Sequence, residues 1–468
     1  MDQQVLMRHI ILFLLIAAAC LGCDPLANPV SGSLSFSSDT VSFDTVFSGV
    51  GSATREFRAI NRENDPVLID RIWLGGGENS PFRLNINGVP GTGAEDIVLA
   101  RKDSIFFFVE VTIDPTGDDS PLAVVDSVNF VSGGFAGRVI LEAWGQDIWL
   151  VDEDIQAHAV WTEEKPYVIT GSLLIDTLAT LTLDPGTRIF FHNCASVTVA
   201  GSLRSSGTPD KRVLLATDRL EDEYADVPGR WKGIRFLDCS RNNSLVFTDV
   251  RNAVIAVALA GKGSSVPDLL LNGTRLMHNT VASLVARNAD VFAVNSVFAH
   301  SGFSTVSLTE GGSGDFVYCT MESRWEYAYR SQPVMFIGPG NGVLPDVTVI
   351  NTVITGTLDN ELHIDASATE AVARFMADSS LIRIDTLRSS WYSGSLFRDV
   401  LTGNNPRFID ESVYDFRPDT LSPLLDRAGR IEAVTWPDDI RDKPRMTDDG
   451  PDIGAYERQP GERRKEER

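Results

Sequence analysis

At 468 residues the chain is longer than one hydrophobic core usually grows, so at least two domains are expected. Its composition, 43% hydrophobic and 22% charged, is that of a folded protein, but 64 acidic against 41 basic residues leave a net charge of −23. Such a surface repels phosphate backbones, which argues against nucleic acid as a partner, and it disfavours strongly anionic glycans unless a local basic patch or Ca²⁺ compensates.

The first element is a targeting segment. Arg8 and His9 precede the apolar run Ile10 to Ala19, and Cys20-Leu21-Gly22-Cys23 follows. Ten apolar residues are too few to span a bilayer but suit the core of a signal peptide. A small residue before a cysteine is what a lipoprotein signal peptidase needs, and residues 1–22 resemble a bacterial lipoprotein signal. The resemblance implies lipidation of Cys23, after Gly22. Cys20, after Ala19, is the alternative, because neither cysteine has the usual Leu three residues before it. An ordinary secretory signal is the other reading. Acyl chains would tie the protein to a membrane without a transmembrane helix. The expected location is the cell envelope, as an outer-membrane lipoprotein facing the periplasm or the exterior. Three more cysteines follow, Cys194, Cys239 and Cys319. Inert thiols are the default, and a Cys194–Cys239 disulfide stays open because spacing cannot decide it.

After a tether over 23–32, residues 33–147 carry short alternating runs. They include VSFDTVF from Val41, REFRAIN from Arg55, VLIDRIWL from Val67, SIFFFVEVTI from Ser104 and RVILEAWG from Arg138. Gly75-Gly76-Gly77, Asp114-Pro115-Thr116-Gly117 and Gly133-Gly134 punctuate them. This pattern predicts an antiparallel β-sandwich. The stretches FDTVFSGVGSATREFRAINR, DSIFFFVEVTIDP and LEAWGQD resemble immunoglobulin-like domains of the abnormal-spindle/hydin type. That resemblance implies a spacer or adhesion module.

From residue 148 the pattern changes. An apolar residue, a small or polar residue and a short β-favouring run recur as FTDV, LNGT, VNSV, YCTM, INTV and MADS, starting at 247, 271, 294, 318, 350 and 376. The steps are 24, 23, 24, 32 and 26, a period that predicts a solenoid whose repeats bury their apolar faces on one another. Asn272, Asn295 and Asn351, with Thr248 and Cys319 as departures, are expected to stack as a ladder. Pro185-Gly186-Thr187, Val199-Ala200-Gly201-Ser202-Leu203 and Trp231-Lys232-Gly233-Ile234 resemble the opening coils of bacterial right-handed parallel β-helix proteins. Residues 404–429 and 441–457, ending in DIGAYE, resemble the closing segments that cap the last coil in those proteins. The expected architecture is all-β: an immunoglobulin-like sandwich, then a right-handed parallel β-helix with its cap over 148–457, then a charged tail over 458–468.

That fold hosts both enzymes and binding proteins, so function must come from residues. Galacturonan hydrolases of this fold carry Gly-His-Gly, Asp-Asp and Arg-Ile-Lys motifs in successive coils. Here Arg383-Ile384-Asp385 lacks the lysine, Asp448-Asp449 falls in the closing segment, and Gly-His-Gly is missing. No carboxylate pair emerges from the repeat register. His278 and His300 lie 22 residues apart, and Arg324 comes 24 later. Stacked on an outer face, the three could bind a carboxylate or supply the base of a lyase; the plainer reading is a solvated stack at a turn. Two histidines without a third ligand make a poor metal site. Trp325, Tyr327 and Tyr329 would share one face of a strand and could stack sugar rings, with Arg324, Glu326, Ala328 and Arg330 wet on the other. The acidic run Asp218 to Asp226 lacks the spacing of a calcium loop, and no cofactor is expected. Two functions remain: a non-catalytic glycan- or protein-binding module at the envelope, or a carbohydrate-active enzyme, a pectate-lyase-like polysaccharide lyase or a glycoside hydrolase.

Overall fold

The structure is a computed structural model that describes residues 30, 32–115, 122–262, 267–387, 389–403 and 405–462. The expected signal segment with Cys20 and Cys23, most of the expected tether and the end of the charged tail lie outside the described residues. The chain divides into two compact units, Met1–Asp147 and Ile148–Arg468.

The first unit holds two five-stranded sheets. One runs Leu34–Phe36, Arg55–Asn61, Ser104–Val111, Phe82–Ile86, Val89–Gly91, antiparallel throughout. The other runs Thr40–Phe47, Phe135–Gln146, Leu122–Ser132, Val67–Leu74, Gly93–Leu99, antiparallel except for its first pair. Side chains alternate across each pleat, so Ile105, Phe107, Val109 and Val111 are all buried. Phe57 and Phe107 of one sheet pack on Phe130 of the other, with the Phe107 and Phe130 centroids 5.3 Å apart. One shared core between two sheets is a sandwich.

The second unit is built on an 11-stranded and a 16-stranded sheet, and every pairing within both is parallel. Each strand bonds to its counterpart one coil later. Leu245, Leu271, Ala293, Phe316, Val349 and Ala377 thereby form one continuous buried row. No coil could shelter its member alone; stacking removes each from water at roughly 1.5–3 kcal/mol per large side chain.

The register corrects the expected ladder. Val246 pairs with Asn272, Asn272 with Val294, Val294 with Val317, Val317 with Ile350, and Ile350 with Asp378. The corner that follows is left-handed at Phe247, Gly273, Asn295, Tyr318, Asn351 and Ser379. Asn295 and Asn351 therefore share a column, but Asn272 stands one place before it and Gly273 takes the corner. A Cβ at Gly273 would lie 2.6 Å from the Phe247 ring, so glycine meets both the positive φ and the close approach. The next column is Thr248, Thr274, Ser296, Cys319, Thr352 and Ser380, all buried. Its hydroxyls link the coils: the Thr274 amide donates to Ser296 Oγ (3.2 Å), that of Cys319 to Thr352 Oγ1 (3.0 Å), and that of Thr352 to Ser380 Oγ (3.0 Å). Thr352→Val should cost about 1–3 kcal/mol in chemical denaturation, because it leaves the buried Cys319 N–H without an acceptor. Cys319→Ser, which keeps a small polar side chain there, should cost less. Burial pushes the Cys319 thiol up to about 12, so it is inert. Cys194 and Cys239 are exposed and free, so the disulfide left open above is not formed.

The C-terminal segment does not close the last coil. It lies along the outer flank of the 11-stranded sheet, where Val297, Ala299, Val353 and Leu381 point outward. Phe408, Phe416, Leu424, Ile440, Ile453 and Ala455 cover them as a second core. The DIGAYE motif fastens this cover: the Gly454 amide donates to Asn351 O (2.8 Å), and that of Ala455 to Thr320 Oγ1 (3.0 Å). Buried Arg445 donates to Asn295 Oδ1 (2.8 Å) and lies 3.8 Å from the Tyr318 ring centroid. Outward apolar side chains on three coils demand a lateral cover, which a cap over one end could not supply.

Candidate functional site

The strands Arg275–Asn279 and Val297–Ser301 pair with Met277 opposite Ala299 and Asn279 opposite Ser301, so His278 and His300 stand side by side. Both occupy left-handed corners, φ 58° and 54°. Asn252, next to Arg251, which pairs with Met277, opens the same column at φ 66°. Asn252 Nδ2 donates to Ala225 O (2.9 Å) and Val227 O (3.0 Å). Those bonds fix the loop that brings Asp226 Oδ1 to 3.1 Å from His278 Nε2. The two Nδ1 atoms lie 2.8 Å apart, and Tyr414 OH is 3.1 Å from His300 Nδ1. Asp226, His278 and His300 thus form a polar chain, and Tyr414 OH meets the same His300 Nδ1 that faces His278.

The histidines are not the solvated outer stack expected. His278 is 3% and His300 2% exposed. The Tyr414 ring sits edge-on over His278 at 4.5 Å, and the Trp325 and Tyr327 rings lie 5.1 and 5.9 Å from His300. Burial holds His278 well below its usual range, helped by His300, and lowers His300 to about 4. Two neutral rings can share one proton between their Nδ1 atoms. With His278 Nε2–H directed at the Asp226 carboxylate, His278 Nδ1 accepts and His300 Nδ1 donates. His300 Nε2 then keeps a bare lone pair, buried without a partner. Burial raises the Asp226 carboxyl, against the pull of Arg251, and raises the Tyr414 hydroxyl.

Arg324 does not join the column; it ion-pairs with Glu411. Residues 324–330 are not a strand, and the expected alternation of wet and dry faces does not occur. Trp325 is half-buried, Tyr327 exposed and Tyr329 88% exposed. Arg330, expected in solvent, is fully buried against Glu361. It also donates to Gln332 O (2.6 Å) and Ser323 O (3.2 Å). The aromatic excursion is thus a loop clamped at its root.

A groove of about 270 Å³ runs beside the pair, lined by Asp226, Asp249, Arg251, Arg275, His278 and Tyr414 among others. Burial alone would raise the Asp249 carboxyl, but Arg275 and Arg212 outweigh it and hold it below the usual range. Asp249 is therefore locked, and Asp226 is engaged with His278. Among the described residues no three His, Cys, Asp or Glu side chains converge as a metal ion needs. Asp226 and Tyr414 come from loops 52 and 136 residues from His278, and no spacing signal reaches them. Asn252 was within reach, since it precedes His278 by 26, about one coil.

No family model and no curated relative matches the chain. Among solved structures, a family 123 glycoside hydrolase from Clostridium perfringens aligns at 7% identity and TM-score 0.20, over 28% of this chain and 30% of that one. The YadV chaperone aligns at 15% and 0.17 over 24% and 51%, and the E. coli chaperone DraB at 13% and 0.17 over 25% and 55%. Likenesses this partial carry no argument about activity.

Proposed function

We propose that the protein is an envelope lipoprotein, anchored through Cys23, in which an immunoglobulin-like unit of the abnormal-spindle/hydin type accompanies a right-handed parallel β-helix that serves as a non-catalytic binding surface. Its partner is a glycan or another envelope protein. One observation carries the choice of binding over catalysis. The side chains that would do chemistry are closed to substrate or already paired, with the histidines sealed and neutral and Asp249 held between two guanidiniums. A paired-carboxylate hydrolase needs one free acid and one free base across a bond, and a lyase needs a base that substrate can touch. The exposed rings of Tyr327 and Tyr329, on a clamped loop, offer flat apolar faces suited to stacking on sugar.

The test is a glycan-array screen of the secreted-form chain, run in parallel with an assay for unsaturated uronate and reducing-end products. Binding without turnover, weakened at least tenfold by the double substitution Tyr327→Ala/Tyr329→Ala, is the expected result. Turnover abolished by His300→Ala would instead establish the enzyme reading, in which the bare His300 Nε2 acts as base after the aromatic cover opens.

A further inference from the structure

A second, smaller cavity lies between the outer face of the 11-stranded sheet and residues 405–411 of the C-terminal segment. Its volume is about 60 Å³, room for roughly two water molecules and far below the ~300 Å³ of a pocket for a whole sugar-sized ligand. Its floor is a row on the sheet: Glu322 pairs with Thr355, and Arg383, which follows Ile382 opposite Ile354, stands next to Thr355. Arg324, Thr357, Asn405 and Glu411 form its walls.

Glu322 is 4% exposed, lines this cavity and makes no side-chain hydrogen bond among the described residues. The Thr355 hydroxyl is equally unpartnered, and the Arg383 guanidinium has no ion pair among them. By contrast, Arg324 and Glu411 neutralise each other, as do Arg330 and Glu361 behind the wall. A buried carboxyl, a hydroxyl and a half-buried guanidinium without protein partners thus converge on one small space, where water or a polar ligand must meet them.

We propose that this cavity is a binding site for a small carboxylate anion, held by Arg383 and by hydrogen bonds from Thr355, Asn405 and Glu322. Burial, then the nearby Glu411, push the Glu322 carboxyl up to about 8 against the opposing pull of Arg324 and Arg330, with Glu361 reinforcing the rise. At neutral pH Glu322 is therefore a donor. Counting the two internal pairs as neutral, the cavity carries one uncompensated positive charge, on Arg383. A cation would be repelled, and a neutral polyol would leave that charge unpaired; one monovalent carboxylate cancels it. A free anion and the carboxylate end of a longer molecule share this chemistry and differ in what extends past the cavity mouth.

The test is a thermal-shift titration of the full mature chain at pH 6.5, with sodium acetate and sodium gluconate each set against sodium chloride at equal ionic strength. A saturable rise in unfolding temperature with either carboxylate, and none with chloride, is expected. Tighter acetate binding identifies a free small anion; tighter gluconate binding identifies the end of a longer acid. Arg383→Gln should weaken the carboxylate at least tenfold. Raising the pH from 6.5 to 9.5 should weaken it at least tenfold in the wild type, as Glu322 loses its proton. Glu322→Gln, whose amide donates at every pH, should bind with no such loss. Thr355→Val, a smaller change than Arg383→Gln, should weaken binding severalfold without altering the ligand-free unfolding temperature by more than a few degrees. Equal responses to carboxylate and chloride, or carboxylate binding untouched by Arg383→Gln, would overturn the proposal.

Discussion

Glu361→Gln is expected to destabilise the second unit by about 3–5 kcal/mol. Glu361 and Arg330 have side chains 0% and 1% exposed. Two guanidinium nitrogens meet the carboxylate, one of them at 2.8 Å from Oε2. The same carboxylate accepts from the Val334 amide (3.0 Å) and the Leu358 amide (2.7 Å). The pair therefore ties the return of the aromatic loop to the coil below it. An amide of the same shape keeps some hydrogen bonds but leaves a buried guanidinium with no counter-charge. Urea denaturation measures the loss. Limited proteolysis should find faster cleavage within 324–334, since that loop loses its clamp. Replacing both partners, Arg330→Met with Glu361→Leu, should recover most of the stability, because no charge is then stranded. A cost below 1 kcal/mol for Glu361→Gln would show that the loop is held by packing instead.

The second large effect is acid destabilisation through the histidine pair. Both rings are neutral when folded, with His300 at about 4, whereas an unfolded histidine titrates near 6.5. Below pH 6.5 the unfolded chain binds protons that the folded chain refuses. The stability these groups contribute is thus complete above about 6.5 and is lost as the pH falls from there toward 4. Over a shift of about 2.5 units, His300 alone accounts for up to about 3 kcal/mol at roughly 1.4 kcal/mol per unit. Two cations could not coexist with Nδ1 atoms 2.8 Å apart, so His278 resists protonation further. Glu322 acts in the opposite sense. Its raised carboxyl favours the fold fully below about 4.5, and that contribution is lost as the pH rises through 8. The comparison is therefore between the wild type and the double substitution His278→Asn/His300→Asn, which keeps Glu322. Asparagine suits the left-handed corner, as Asn252 does in the same column. The urea midpoint of the wild type should fall steeply from pH 7 to pH 4.5, and that of the variant much less. Parallel slopes would mean that the histidines are already charged or exposed.

These two expectations rest on side chains whose surroundings were unreadable in one dimension. His278 and His300 announce their adjacency through a spacing of 22, one coil. Their burial depends on Tyr414, Trp325 and Tyr327, which arrive from a C-terminal turn and from an excursion. Arg330 and Glu361 sit on either side of a coil, 31 residues apart, and nothing in the alternating pattern of 324–330 marks Arg330 as dry.

Class of fold follows from local physics, and so it was open to reading from residues alone. Alternating apolar positions require a pleated strand, and repeated short runs with no self-sufficient core require stacking; both units are accordingly all-β, antiparallel in the first save one pair and parallel in the two large sheets of the second. Register was decided only in three dimensions. The corner column falls at 247, 273, 295, 318, 351 and 379, with coils of 26, 22, 23, 33 and 28 residues, so alignment by a constant motif slips by one to three places. Coil length is absorbed in loops, which carry no periodic signal. The lateral cover, the sealed histidines and the carboxylate cavity belong to the same category, because each is made by segments that meet across the fold after a hundred residues or so of intervening chain, where hydrophobic burial and charge compensation, not sequence proximity, choose the neighbours.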